Sequence, residues 1–214
     1  MSIHINWEFL FSFITAGVAI AALFQTRLQI KISNKQHLFD KRVEIYIIAS
    51  GLVRLYEQNR ESINKNKEDT STSILDVALK FVWMTNNSYL EKLSEVIADP
   101  LSNASRKEFL AKMEDIKEIS MKIKLLFSDS ETISDFVYCY QQMLTAMYQY
   151  RIMILDMDNA TKEYKWSLKQ CEEELGEKNV RDRLIKHIEE LEKIYCRIGA
   201  EKTEEKMEEQ IKLK

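Results

Sequence analysis

Proline is almost missing from this chain, with one in 214 residues, and glycine occurs only four times. Hairpins and tight crossovers depend on these residues for their turns, so their scarcity excludes a strand-rich fold. Charge of one sign is lacking too. The 31 Lys and Arg face 34 Asp and Glu, and a net charge of −3 is too mild to select nucleic acid by its field. Cysteine is sparse and odd in number. Cys139, Cys171 and Cys196 match neither a disulfide framework nor a zinc site, and point to a reducing compartment. The chain also has no Gly-rich phosphate loop, no nucleophile elbow and no pair of histidines at metal spacing. No metal or cofactor is expected. What remains is rich in Leu, Ile, Lys, Glu and Met, a composition that predicts an all-α protein.

One long hydrophobic run stands near the N-terminus. Residues 9–26 carry no charge and include Phe9, Leu10, Phe11, Phe13, Ile14, Val18, Ile20, Leu23 and Phe24. At ~1.5 Å per residue such a helix covers roughly 27 Å, close to the ~30 Å hydrocarbon core of a bilayer. Trp7 stands where an interfacial aromatic belongs. A cleaved signal peptide would need a basic stretch before the run, and no Lys or Arg precedes it. A transmembrane anchor over 7–33 is the better reading. Arg27, Lys31, Lys35, Lys41 and Arg42 follow the run, whereas Glu8 is the only charged side chain before it. The positive-inside rule then places the N-terminus outside the inner membrane and the rest in the cytoplasm. The same basic residues are candidates for anionic lipid or for RNA.

Glu8, Ser12, Thr15, Ala19, Ala22, Thr26, Gln29 and Ser33 alternate by four and three residues, which makes them a heptad seam. Every seam residue is small or polar. Lipid does not reward such groups, so the seam should face another helix or water. Close packing of anchors and an aqueous path lined by several copies both satisfy it.

The residues after the anchor read as a cytoplasmic helical bundle over 34–199 and a charged tail over 200–214. The anchor helix should continue past the membrane, with Leu38, Phe39, Val43, Tyr46, Ile47, Leu52 and Leu55 on one face, and residues 61–73 read as a loop. Ser73 with Asp76 should cap a helix reaching about Ala98, ended by Asp99-Pro100. Ser105 with Glu108 and Ser128 with Glu131 read as capping boxes. The second opens the longest periodic stretch, through Ile133, Val137, Tyr140, Leu144, Tyr148, Ile152 and Leu155 to near Gly176, with a kink at 156–159. Asn179 and Asp182 should cap a last helix carrying Leu184, Ile188, Leu191, Ile194 and Tyr195. Beyond Gly199 the sequence predicts a frayed, charged tail. Tyr138, Tyr140, Tyr148, Tyr150 and Trp166 fit core packing by their spacing, though their rings are also of the kind that stacks on bases.

His4 and His37 read as surface residues. His187 closes the stretch Arg181-Asp182-Arg183-Leu184-Ile185-Lys186-His187, an Arg and a His separated by five residues at the start of a late helix. This resembles the motif of HEPN domains, compact helical bundles that often cleave RNA. The resemblance implies His187 as general acid/base on a ribose 2′-OH and Arg181 as holder of the scissile phosphate. Six residues also place the two groups about 120° apart on an ideal helix, and Arg183 with His187 could be an ordinary exposed pair.

The stretch Leu38-Phe39-Asp40-Lys41-Arg42-Val43-Glu44-Ile45-Tyr46 directly after an anchor resembles a recurrent element of small bacterial membrane proteins, many of them in antiphage loci. The whole layout, with its late Arg and His, is similar to the small membrane accessory proteins of type VI-B CRISPR systems. That resemblance implies a HEPN-like bundle, a homo-oligomer and a membrane pore supporting an RNA-guided nuclease. Membrane effectors opened by a signalling nucleotide share the layout. The expectation is therefore an antiphage effector whose copies assemble and form or gate a pore. A membrane-tethered RNase and a structural anchor for a cytoplasmic partner are the alternatives.

Overall fold

The computed structural model describes residues 7–64 and 77–212, and these fold as eight helices with no strand among them. They are α1 (Trp7–Asn64), α2 (Val77–Thr85), α3 (Leu93–Val96), α4 (Asn103–Leu126), α5 (Glu131–Glu163), α6 (Leu168–Glu174), α7 (Glu177–Glu201) and α8 (Thr203–Ile211). The chain divides into two compact units, Met1–Val43 and Glu44–Lys214. The boundary falls ten residues after the one expected from hydropathy.

In the first unit the described residues are all helical. Ser33 and Asn34 do not interrupt α1, because a helix without proline tolerates isolated polar residues at a few tenths of a kcal/mol each. Its N-terminal part is long and apolar enough to cross a membrane, and none of that window is buried. Phe11, Phe13, Val18, Leu23 and Phe24 are all well over half exposed.

The second unit is a bundle built around α5. Over residues 132–150 this helix is largely apolar and is buried on most sides. Ile133, Phe136, Val137, Tyr140, Met143 and Leu144 are each at most 1% exposed. The main neighbours of α5 are α7 and α4; α2, α6 and α8 also pack on it, and Tyr56 of α1 meets Phe136 edge to face. In contrast, α7 carries one apolar stripe, Leu184, Ile188, Leu191, Ile194 and Ile198, and charges elsewhere. Each large side chain buried in this core contributes on the order of 1.5–3 kcal/mol. The last turns of α1 join the same core through Ile45, Ala49, Leu52, Tyr56 and Ile63. Residues 61–64, expected in a loop, are helical. The rest of that loop, and the cap by Ser73 with Asp76, lie outside the described residues.

Several boundaries differ from those the sequence predicts. The helix expected to reach Ala98 stops at Thr85. There Asn87 Oδ1 takes the amide of Leu90 at 2.8 Å, a side-chain bond that competes with the helical ladder. The cap of α4 is Ser102 rather than Ser105, because Ser102 is extended after the Pro100 turn and its hydroxyl accepts from the Ser105 amide. Ser128 does not cap α5. It is held by Gln210, which accepts from its amide and donates to its carbonyl, both at 2.9 Å. The α5 helix runs unbroken through 156–159 and ends at Glu163, where Lys165 turns the chain at φ 57° and Ser167 with Gln170 forms a capping box for α6. Gly176, at φ 68°, is the cap position of α7, three residues before Asn179, so neither Asn179 nor Asp182 is a cap. The tail is not frayed over the described residues. Thr203 and Met207 of α8 are buried, and Ile211 packs against the core.

Candidate functional site

Two regions carry the residues singled out in the sequence. On α1, Ser12, Thr15, Ala19, Ala22 and Thr26 are exposed along one stripe, while the side chain of Glu8 lies outside the described set. The Thr15 hydroxyl donates to the Phe11 carbonyl and that of Thr26 to the Ala22 carbonyl, both at 2.8 Å. A hydroxyl that spends its proton inside its own helix can enter a hydrocarbon layer without an orphaned donor, and its lone pairs remain available. Arg27, Lys31, Lys35 and Lys41 are exposed and Arg42 half-buried, so the cationic collar follows the apolar part directly.

The second region is the start of α7. The left-handed turn at Gly176 delivers Glu177 into the bundle, where it is only 4% exposed. The Tyr150 hydroxyl donates to one Glu177 oxygen at 2.6 Å, and Arg181 lies 3.4 Å from the other. Burial, reinforced by that carboxylate, pushes the Tyr150 phenol up. Arg181 is therefore the charge partner of a buried acid one turn earlier on its own helix. His187 lies further along α7, half-buried, with Nδ1 buried and without a partner among the described residues. Burial lowers its pKa, Lys186 and Arg183 add to the effect, and Glu190 opposes it. Burial thus favours the neutral imidazole, the form a general base needs. Within one chain Arg181 and His187 point about 120° apart around α7 and do not converge.

If Arg181 is held for charge balance, its loss should appear as instability. Arg181→Gln should cost about 2 kcal/mol, less than a fully buried pair would, because its head keeps some access to water. Adding Glu177→Gln should recover most of that, measured by thermal melts. An unchanged melting temperature for Arg181→Gln would return the residue to a functional role.

The aromatic residues divide. Tyr140, Tyr148 and Tyr150 are core, with Tyr140 donating to the Met84 carbonyl and Tyr148 to the Pro100 carbonyl. Tyr138 is nearly half exposed, and Trp166 leans on Tyr164 with ring centroids 5.5 Å apart. All three cysteines are free. Burial above all, with help from Glu190 and Asp135, pushes the Cys139 thiol up to about 12, so it is no nucleophile. His37 is exposed, and His4 lies outside the described residues. Among the described residues no cluster of His, Cys, Asp and Glu is assembled for a metal.

One polar centre has no precursor in the sequence reading. Glu192 on α7 accepts from Tyr56 Oη at 2.7 Å, from Asn64 Nδ2 at 2.9 Å and from the Arg60 guanidinium. Arg60 in turn lies over the Tyr195 ring, 4.8 Å from its centroid. Burial alone would raise the Glu192 carboxyl. The three donors outweigh it and hold the group below the ordinary carboxylate range. Tyr56, Arg60 and Asn64 are spaced by four, a polar stripe on the last turns of α1. Only that stripe hints at the centre in the sequence.

No protein-family model, curated protein or solved structure matches this chain.

Proposed function

We propose that this protein is a single-pass membrane effector of antiphage defence, whose copies assemble through the helical bundle and whose anchors form or gate a breach in the bilayer. The observation that carries the reading is on α1. One exposed helix combines a lipid-compatible apolar surface with a seam of small and polar residues, Ser12, Thr15, Ala19, Ala22 and Thr26. A monomeric anchor gains nothing from that seam in lipid, whereas several copies can turn it toward one another and admit water between them. The cationic collar supports an inner-membrane placement with the N-terminus out and the bundle in the cytoplasm. The defence setting rests on the resemblance of residues 38–46 and of the overall layout to antiphage membrane proteins, and a HEPN-like bundle rests on the resemblance of the Arg181 and His187 spacing alone.

Bacteria expressing the protein together with its natural trigger should depolarise, read by a voltage-sensitive dye. A reporter fused after Lys214 should be active only as a cytoplasmic reporter. A periplasmic signal at that position overturns the topology, and with it the assignment of bundle and breach to opposite sides.

A further inference from the structure

We infer that His187 is an acid-sensitive latch: on taking up a proton, its imidazole releases the first turns of α7 from α5 and opens the seam over Cys139. The inference needs only the bundle and stands whether or not the anchor breaches a bilayer.

The seam has a definite extent. At one end the Cys139 thiol donates to the His187 carbonyl at 3.7 Å, and at the other the Arg183 guanidinium donates to Gln149 Oε1 at 3.2 Å. Between them Leu184 and Ile188 of α7 are buried, as are Met143 and Met147 of α5. His187 stands on the flank of this stripe. Its ring is half-buried, and Nδ1 is fully enclosed with no hydrogen-bond partner among the described residues. A neutral imidazole fits that place by carrying its proton on Nε2, which leaves Nδ1 a bare acceptor. The imidazolium does not fit, because both nitrogens then carry hydrogen. Its Nδ1–H is a buried donor with no acceptor, and such a loss costs more for a charged group than for a neutral one.

Nothing around the ring offsets that cost. No residue of α5 from Cys139 to Gln149 is charged near neutrality, since burial holds the Cys139 thiol and the Tyr140 and Tyr148 phenols in their protonated forms. The first carboxylate before that stretch, Asp135, is bonded to Lys124 at 3.1 Å, and the first charge after it, Arg151, is another cation. Burial is the main cause that holds the His187 imidazole below its ordinary value. Exposed Glu190 opposes it, while Lys186 and Arg183 add to it. Among the described residues no charge from α1, α5, α6 or α8 acts on the ring. A released His187 titrates near the ordinary imidazole value of about 6.5, whereas the latched ring takes its proton only at lower pH. The open form therefore binds more protons. The seam is secure above the ordinary value and loosens as pH falls below it.

The test follows thiol accessibility in the full-length protein in lipid nanodiscs, with a dithiodipyridine reagent and mass spectrometry at pH 7.5 and pH 5.5. Cys139 is buried in the seam, Cys171 is buried on α6, and Cys196 is exposed and corrects for the reagent's own pH dependence. One proton per opening sets a ceiling of about ten-fold for each pH unit below the ordinary value. Relative to Cys196, labelling of Cys139 should therefore rise about three- to ten-fold at pH 5.5, while that of Cys171 stays level. His187→Gln takes up no proton there and should label Cys139 equally at both pH values. Lys186→Glu, at an exposed position, should reduce the rise, because an acid beside the ring stabilises the imidazolium in the closed seam. A change of less than about two-fold in the parent overturns the latch. So does a full rise in His187→Gln, which assigns the acid response to another group. Equal rises at Cys139 and Cys171 overturn it as well, since the bundle then opens as a whole. Melting curves at pH 7.5 check that both variants fold. If His187→Gln does not, Lys186→Glu decides, and an undiminished rise there overturns the proposal.

Discussion

Replacing Thr15 and Ala19 together by leucine should return the membrane potential of cells that express the protein with its trigger to that of cells lacking the protein, without lowering the amount of protein in the membrane. Both positions lie on the exposed small-residue stripe of α1. Leucine there adds apolar bulk where several anchors would converge, which narrows and dries a water path. Insertion should survive, because the helix becomes more hydrophobic. Bundle assembly should survive as well, since no bundle residue changes. If the stripe serves only close packing, the same pair should separate the anchors, and the parent itself should never depolarise cells. Phe13→Leu is the control. Its side chain is 75% exposed and, on an ideal helix, points about 140° away from the stripe. A loss of signal with Phe13→Leu equal to that of the double variant would mean that general anchor packing, not the stripe, carries the effect.

Glu192→Ala should be the most destabilising single polar change in the bundle. The substitution removes the acceptor of three donors, and Tyr56, among them, is fully buried. Hydrogen bonds to a charged group are worth about 1.5–3 kcal/mol each, but their loss is partly relieved by water reaching Arg60. A net cost of about 3 kcal/mol is expected, or roughly 6–12 °C in melting temperature for a unit of this size. Glu192→Gln should cost less, since one acceptor oxygen remains. The pH dependence has a definite sign. The Glu192 carboxyl is lowered in the folded state, so its contribution is present above the ordinary carboxylate pKa and is lost as pH falls through the depressed value. The gap between parent and Glu192→Ala should therefore be constant near neutrality and shrink on the acid side of the carboxylate range. A gap that widens on acidification would show that Glu192 is not the charged centre of the cluster.

Helix type and the core faces of α5 and α7 were legible in the sequence because they are set by short-range periodicity, whereas on α1 Leu38 and Ile47, expected on the apolar face, are 42% and 62% exposed. Val137, Tyr140 and Leu144 of α5, and Leu184, Ile188 and Leu191 of α7, are buried as their spacing requires. Boundaries were less legible, since several Ser, Asn and Asp residues near each break have the chemistry of a cap. Ser102 prevails over Ser105 only because the Pro100 turn leaves it extended, and Gly176 prevails over Asn179 by reaching the left-handed region. In α8 the stripe of Thr203, Met207 and Ile211 is hidden among charges that outnumber it. The Glu192 centre was out of reach for another reason. Its partners stand 136, 132 and 128 residues away, and no local pattern reports a contact at that range. For Arg181, the motif drew attention to its spacing from His187, whereas Glu177, four residues earlier, is the group it meets.

Those long separations bear on the order of events during synthesis. The residues that close the bundle are translated long after the hydrophobic run: Glu192 must be made before it can hold Tyr56, and Gln210 before it can hold Ser128. At about 5–20 residues per second the run leaves the ribosome many seconds before those partners exist. On the proposed membrane reading, insertion would begin on a nascent chain with no folded domain behind it. Until α7 and α8 are made, the sides of α5 that they cover wait unpaired, a window in which new chains can mispair and in which holding chaperones have something to grip.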